Sequence, residues 1–154
     1  MDEMEQHCLA LCALVRRIGD EGPPAELRPA LAGLRAAFLR ALALHRAQQE
    51  TRVFPGLLDA MAGSDAVCIR EMAADLADEH RALDLRWRRL CDALEAALQG
   101  SQPPGHGLAA DAEALLALCR RHLAFEREQL WPMAARLLDG PEMPTMQAPS
   151  STLP

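Results

Sequence analysis

Apolar residues recur along most of the chain every three or four positions, the spacing of one face of an α-helix. Clusters rich in Gly and Pro interrupt the pattern at Gly19-Asp20-Glu21-Gly22-Pro23-Pro24, at Gly63-Ser64-Asp65, and from Gly100 to Gly107. Such clusters stop helices. The sequence therefore predicts four helices, over 2–18, 26–62, 65–98 and 108–138, with Ser64 or Asp65 as cap of the third. Their apolar stripes run through Leu11, Leu14 and Ile18; Leu31, Leu34, Phe38, Leu42 and Val53; Ile69, Leu76, Leu83, Trp87, Cys91 and Leu94; and Leu115, Leu118, Leu130 and Leu137. Short connections favour antiparallel neighbours, so the fold predicted is all-α, an up-down-up-down four-helix bundle. Pro55 and Pro132 fall inside the second and fourth stretches, where the helical pattern continues past them; they are expected to kink those helices.

Composition supports this reading. Half of the 154 residues are hydrophobic, 3% are aromatic and none is Tyr, so Leu, Ala, Val and Met must build the core. Ala and Leu are strong helix formers and β-branched residues are few, which excludes an all-β fold. The length suits one domain, a bundle over 1–138, followed by a Pro/Ser/Thr/Met tail over 139–154 that is expected to be disordered.

Charge narrows the partners. The net charge is −6, and all sixteen basic residues are Arg, scattered among acids. That is a poor counterion-releasing surface, so no nucleic acid is expected. No uncharged apolar run approaches the ~20 residues that cross a bilayer, and the acidic start (Met1-Asp2-Glu3-Met4-Glu5) lacks the basic and apolar regions of a signal peptide. The expected compartment is the cytoplasm. Cys8, Cys12, Cys68, Cys91 and Cys119 are odd in number and form no CxxC, which argues against a disulfide framework and a zinc knuckle.

The candidate chemistry lies on the stripes. Four of the five histidines continue them, one per helix: His7, His45, His80 and His122. His45 lies 17 residues before Ala62 and His80 lies 16 after Ser64, so the two sit level. Seven residues toward the far end, Leu14, Phe38, Trp87 and Leu115 form an apolar floor; four residues the other way stand Glu3, Gln49, Leu76 and Glu126. A lone His on such a stripe is commonly a hydrogen-bonded core residue. Four at one level need partners, and a divalent metal suits imidazoles and carboxylates on facing helices. His106, in the Pro/Gly loop, reads as solvated. Two segments also repeat one another as H-x3-[Q/E]-x4-[F/W]-P: His45, Gln49, Phe54, Pro55 and His122, Glu126, Trp131, Pro132. The i,i+4 spacing puts each His and its partner on one face, and the aromatic-Pro pair can lid the site.

This ordered set resembles the hemerythrin-like (HHE cation-binding) domain family over residues 2–138: His7, then His45 with Gln49, then His80 in Asp78-Glu79-His80, then His122 with Glu126. The resemblance implies a non-haem iron centre, two irons in a four-helix bundle. By it His7 and His45 would serve one metal, His80 and His122 the other, with positions 49 and 126 bridging. Gln49 departs from the pattern, since the family has a bridging Glu there. A carboxamide is neutral and offers a single good oxygen donor, so the metal pair should bind more weakly.

Three acids could compensate. Glu50 lies ~140° round the helix from His45 and needs a π-turn to point inward. Glu3 has the right level at a helix end. Asp84, one turn after His80, suits an outer supporting role. Leu76 stands where hemerythrins carry a further His, leaving a coordination position open to O2, NO or peroxide. Cys12 and Cys119, below the His layer, and Met72 and Met133 read as core filler.

The function expected is therefore a non-haem, di-iron hemerythrin-like protein that binds or senses O2 or NO or handles iron, and is not in the first instance an enzyme. The alternative is a metal-depleted regulatory or interaction bundle, for which Gln49 is the argument. Haem bound by two histidines is a third reading, and the carboxylates argue for iron without porphyrin. Exposed Ala runs on the second and third helices permit a homodimer.

Overall fold

The computed structural model of the chain describes residues 1–21, 26–100 and 107–138. Six α-helices follow in order: α1 (Glu3–Glu21), α2 (Leu27–Gln48), α3 (Phe54–Ala60), α4 (Ser64–Leu98), α5 (Leu108–Phe125) and α6 (Trp131–Leu137). Two π-turns, Gln49–Val53 and Glu126–Leu130, join α2 to α3 and α5 to α6. The six helices are thus four rods, and the described residues contain no strand. His106 and the tail from 139 lie outside the described residues.

The first rod packs on the second and fourth, and the third packs on the same two. The second and fourth therefore occupy opposite corners of the bundle. Ion pairs set the register. Arg16 meets Glu113 at 3.0 Å and Arg120 meets Glu5 at 2.7 Å, so α1 and α5 run antiparallel. Arg35 bonds Asp92 at 2.7 Å and His45 lies against His80, so α2 and α4 run antiparallel as well.

The turn between α3 and α4 is short. Met61 is extended and Gly63 takes φ 66°, ψ −134°, a conformation open only to glycine at low cost. Gly63, rather than the expected Ser64 or Asp65, is the N-cap of α4, and no side chain caps it. Ser64 is already inside the helix.

Both prolines are accommodated by a π-turn just before them. A proline in an α-helix drives its ring against the carbonyl four residues back. Here the N–H of Phe54 donates to the Gln49 carbonyl and that of Trp131 to the Glu126 carbonyl, five residues back in each case. The wider turn lets the rod continue through Pro55 and Pro132.

The core is in two parts. The larger is built from α1, α2, α4 and α5 and is floored by Phe38 and Trp87, whose rings stack at 3.9 Å between centroids. Leu14, Phe38, Trp87 and Leu115 are all buried, as the layer reading requires. The smaller part holds Val53, Phe54, Leu57, Ile69, Leu76, Leu130 and Ala134, all from the second, third and fourth rods. Between the two parts lies a polar layer.

Candidate metal centre

Four buried polar residues interrupt the apolar interior: Gln49, His80, His122 and Glu126. Each belongs to the polar layer, and His45 completes it with 13% of its side chain exposed. The i,i+4 spacing places His122 and Glu126 on one face of the fourth rod, with His122 Nε2 2.8 Å from Glu126 Oε1. From the opposite corner, His45 Nε2 also reaches Glu126 Oε1 at 2.8 Å. His80 Nε2 lies 3.1 Å from His122 Nε2 and 4.0 Å from Glu126 Oε1. His45 and His122 approach at 3.3 Å through the same atoms.

All four donor atoms of His45, His80, His122 and Glu126 lie within 4.8 Å of one another. The imidazole rings meet edge to face, with centroids 4.7 to 5.5 Å apart. Nitrogens at 3.1 and 3.3 Å leave no room for a porphyrin between two of these rings. Three imidazoles and a carboxylate converging in an apolar interior are donors for a first-row divalent cation.

This convergence is matched by sequence. The family model described as the hemerythrin HHE cation binding domain covers residues 1–134. The chain belongs to the hemerythrin HHE cation-binding family. Neither the curated proteins nor the solved structures compared with it include a match.

Electrostatics prepare this hemerythrin domain for a cation. Burial, then the neighbouring His122 and His45, hold His80 down at about 3, so it is neutral at physiological pH. Burial pushes Glu126 up, but hydrogen bonds from His122 and His45 outweigh it and bring the carboxyl to about 2. Burial likewise pushes His122 down, and the carboxylates of Glu126 and Glu79 reverse the direction and raise it. Without a metal the layer therefore holds an anionic Glu126 beside a proton-retaining His122.

Gln49 is fully buried in the same layer. Its Nε2 donates to Glu126 Oε1 and lies 3.1 Å from His45 Nε2, while its Oε1 is buried without a partner. Of the residues expected in the site, the structure brings together His45, Gln49, His80, His122 and Glu126. It leaves His7 outside the four-donor group. The buried face of α1 runs through Met4, Cys8, Leu11, Cys12, Leu14, Val15 and Ile18, so it extends toward Cys8 beyond the stripe read in the sequence. His7 sits half-buried on the flank of that face, with Nδ1 buried and unpartnered.

The compensating acids are elsewhere. Despite the π-turn beside it, Glu50 is exposed and pairs with Arg46 at 3.5 Å. Glu3 is exposed at the start of α1, and Asp84 bonds Arg88 at 2.9 Å on the surface. Leu76 is part of the smaller core.

The outer supporting role falls to Glu79, which sequence reasoning quoted only as a neighbour of His80. Its Oε2 accepts from His122 Nδ1 at 2.7 Å. That bond places the remaining ring proton on Nδ1 and frees Nε2 for the centre. The signal was available: Glu79 precedes His80, ~100° round the helix toward the fourth rod.

Cys12 and Cys119 are buried in the larger core. Cys119 is the thiol beside Cys8, and together with burial it pushes the Cys8 thiol far up. All five cysteines are free.

A cleft of about 530 Å³ opens onto His45, between the start of α1 (Asp2, Glu3, Met4) and the end of the second rod's long helix, with Thr51 and Arg52 on its rim. No helix among the described residues is long and apolar enough to cross a membrane.

Proposed function

We propose that the protein is a non-haem iron protein that binds a small diatomic ligand, O2 or NO, at an iron held by His45, His80, His122 and Glu126. The observation that carries this reading is the convergence of those four donors in a layer sealed above and below by apolar packing. Iron in such a nitrogen-and-oxygen environment supplies a redox-active Lewis acid with coordination positions left for an outside ligand. The chain's own contributions are distinct. Glu79 holds the His122 ring through Nδ1. Leu76, Phe54 and Leu130 close the space above the layer to bulk water. His45, the partly exposed donor, borders the cleft through which a small ligand would arrive. Five free cysteines suit a reducing cytoplasm, where we place the protein.

The test is the iron content of protein purified without an affinity tag from iron-supplemented cells, with an optical spectrum before and after adding NO under anaerobic conditions. Iron retention together with an NO-induced absorption band supports the reading. Retained iron with no response to NO or O2 would turn it toward iron handling. A well-folded helical protein without metal would refute it and leave a regulatory or interaction bundle.

A further inference from the structure

We infer that Gln49 is the residue that sets how many cations the centre takes, and that it restricts the centre to one. This deepens the iron-binding reading and rests on it.

The first ground is distance. Metal–ligand bonds to nitrogen and oxygen run ~2.0–2.2 Å, so donors of one ion lie ~3 Å apart when adjacent and ~4 Å apart when opposite. The separations around Glu126 Oε1 are 2.8, 2.8 and 4.0 Å, and those among the imidazole nitrogens include 3.1 and 3.3 Å. They describe one coordination sphere. Two ions ~3.5–4 Å apart would need the donors split into two sets with a carboxylate spanning them. Here a single oxygen, Oε1 of Glu126, meets His45, His122 and Gln49.

Charge is the second ground. One divalent ion brings +2, which Glu126 inside the layer and Glu79 behind His122 neutralise. A second divalent ion would add +2 with no further carboxylate in the layer, in an interior where His80, His122 and Glu126 are at most 1% exposed. Uncompensated charge at that depth is strongly disfavoured.

The third ground is what Gln49 does. Its amide nitrogen donates to Glu126 Oε1, a contact that a carboxylate at position 49 could make only as a repulsion. The amide therefore steadies Glu126 as a terminal ligand of one ion. A carboxylate there would add the missing anion and the missing bridge together. His7 stays outside the four-donor group and adds no ligand to that one sphere.

The experiment is native mass spectrometry and elemental analysis of the full chain, loaded anaerobically with Fe(II), for the wild type, Gln49→Glu and Gln49→Ala. Expected are one iron per chain in the wild type, two in Gln49→Glu and one in Gln49→Ala. Two irons in the wild type would overturn this inference while leaving the iron-binding function intact. One iron in a folded Gln49→Glu protein would overturn the role given to Gln49. No iron in any of the three would overturn the functional reading and this inference with it. Should Gln49→Glu not fold, the Co(II)-loaded wild type decides. The electron paramagnetic resonance signal of an isolated high-spin ion at one equivalent supports the inference, and a coupled pair at two equivalents refutes it.

Discussion

Replacing Glu79 by Gln removes a charge from behind His122 but leaves an oxygen able to accept its Nδ1 proton. A neutral hydrogen bond contributes a net ~0.5–1.5 kcal/mol and a charge-assisted one ~1.5–3. Glu79 retains 36% side-chain exposure, so solvent screens the pair and the lower ends apply. The charge alone is then worth about 1 kcal/mol, roughly a fivefold loss of metal affinity in Glu79→Gln. Glu79→Ala strips the acceptor as well and orphans a donor on a ring that is 0% exposed. That raises the cost to about 2–3 kcal/mol, a loss of ~30–150-fold. Competition for Fe(II) or Co(II) against a chelator of known affinity reads both values. The measurement belongs at pH 8. At lower pH Glu79 also stabilises the protonated His122 that a metal must displace, which shrinks the difference. Equal affinities for the wild type and Glu79→Ala would refute the argument that this contact orients the ring for a metal.

Other substitutions and conditions test neighbouring claims. His80→Ala should abolish stoichiometric metal binding while His7→Ala leaves it unchanged, and elemental analysis of both proteins checks the placement of His7 outside the cluster. Apo-protein stability should fall as the pH drops from about 6.5 toward 3. His80 is depressed in the folded state, so the unfolded chain binds more protons across that window. Glu126 extends the loss as the pH falls from its ordinary carboxylate range toward about 2. On the alkaline side His122, raised when folded, loses its contribution as it deprotonates, so urea melts of apo protein should show a maximum near neutrality. Trp87→Ala should cost ~3–5 kcal/mol in denaturant melts by emptying the floor under the site. Trp87→Phe should cost much less, about 1.5 kcal/mol at most, because it also removes the indole N–H that is buried without a partner.

The rods and the polar layer could be read from the chain because helical periodicity fixes which side chains share a face. His45 and His80 were placed level by counting residues to a turn, and the turn is tight enough for the count to hold: their rings meet at 5.2 Å. The same count fails for His7. Met4, Cys8, Cys12 and Val15 join Leu11, Leu14 and Ile18 in the buried face of α1 and widen it on the side away from His7, which is left half-buried. Small side chains such as Cys8 and Cys12 carry little signal in a hydrophobic pattern, yet they widen the packing face where rods approach closely. The π-turns were equally hard to foresee. Pro55 and Pro132 announce a local departure, but whether a helix bends, ends or widens depends on whether the residues beyond still have a core to join. Here Leu57 and Ala134 do. Glu79 escaped notice because its role belongs to a contact between rods, and the acid four residues after His80 looked the better candidate on one helix alone.

The two-part core makes the polar layer a seam. On one side four rods are bound by ion pairs and an aromatic stack; on the other, seven buried residues from three rods form a cap. The cap connects to the lower bundle through the third rod and through two π-turns, each starting at a residue of the layer. A cation gripped by His45, His80 and His122 would tie all three cap-bearing rods together at that seam. Metal occupancy then becomes a question of cooperativity. In the apo protein the amides of α3 and α6 should exchange with solvent as one unit, well before those around Trp87. In the loaded protein the two halves should open together, so that the state of the centre is written into the motions of the cap.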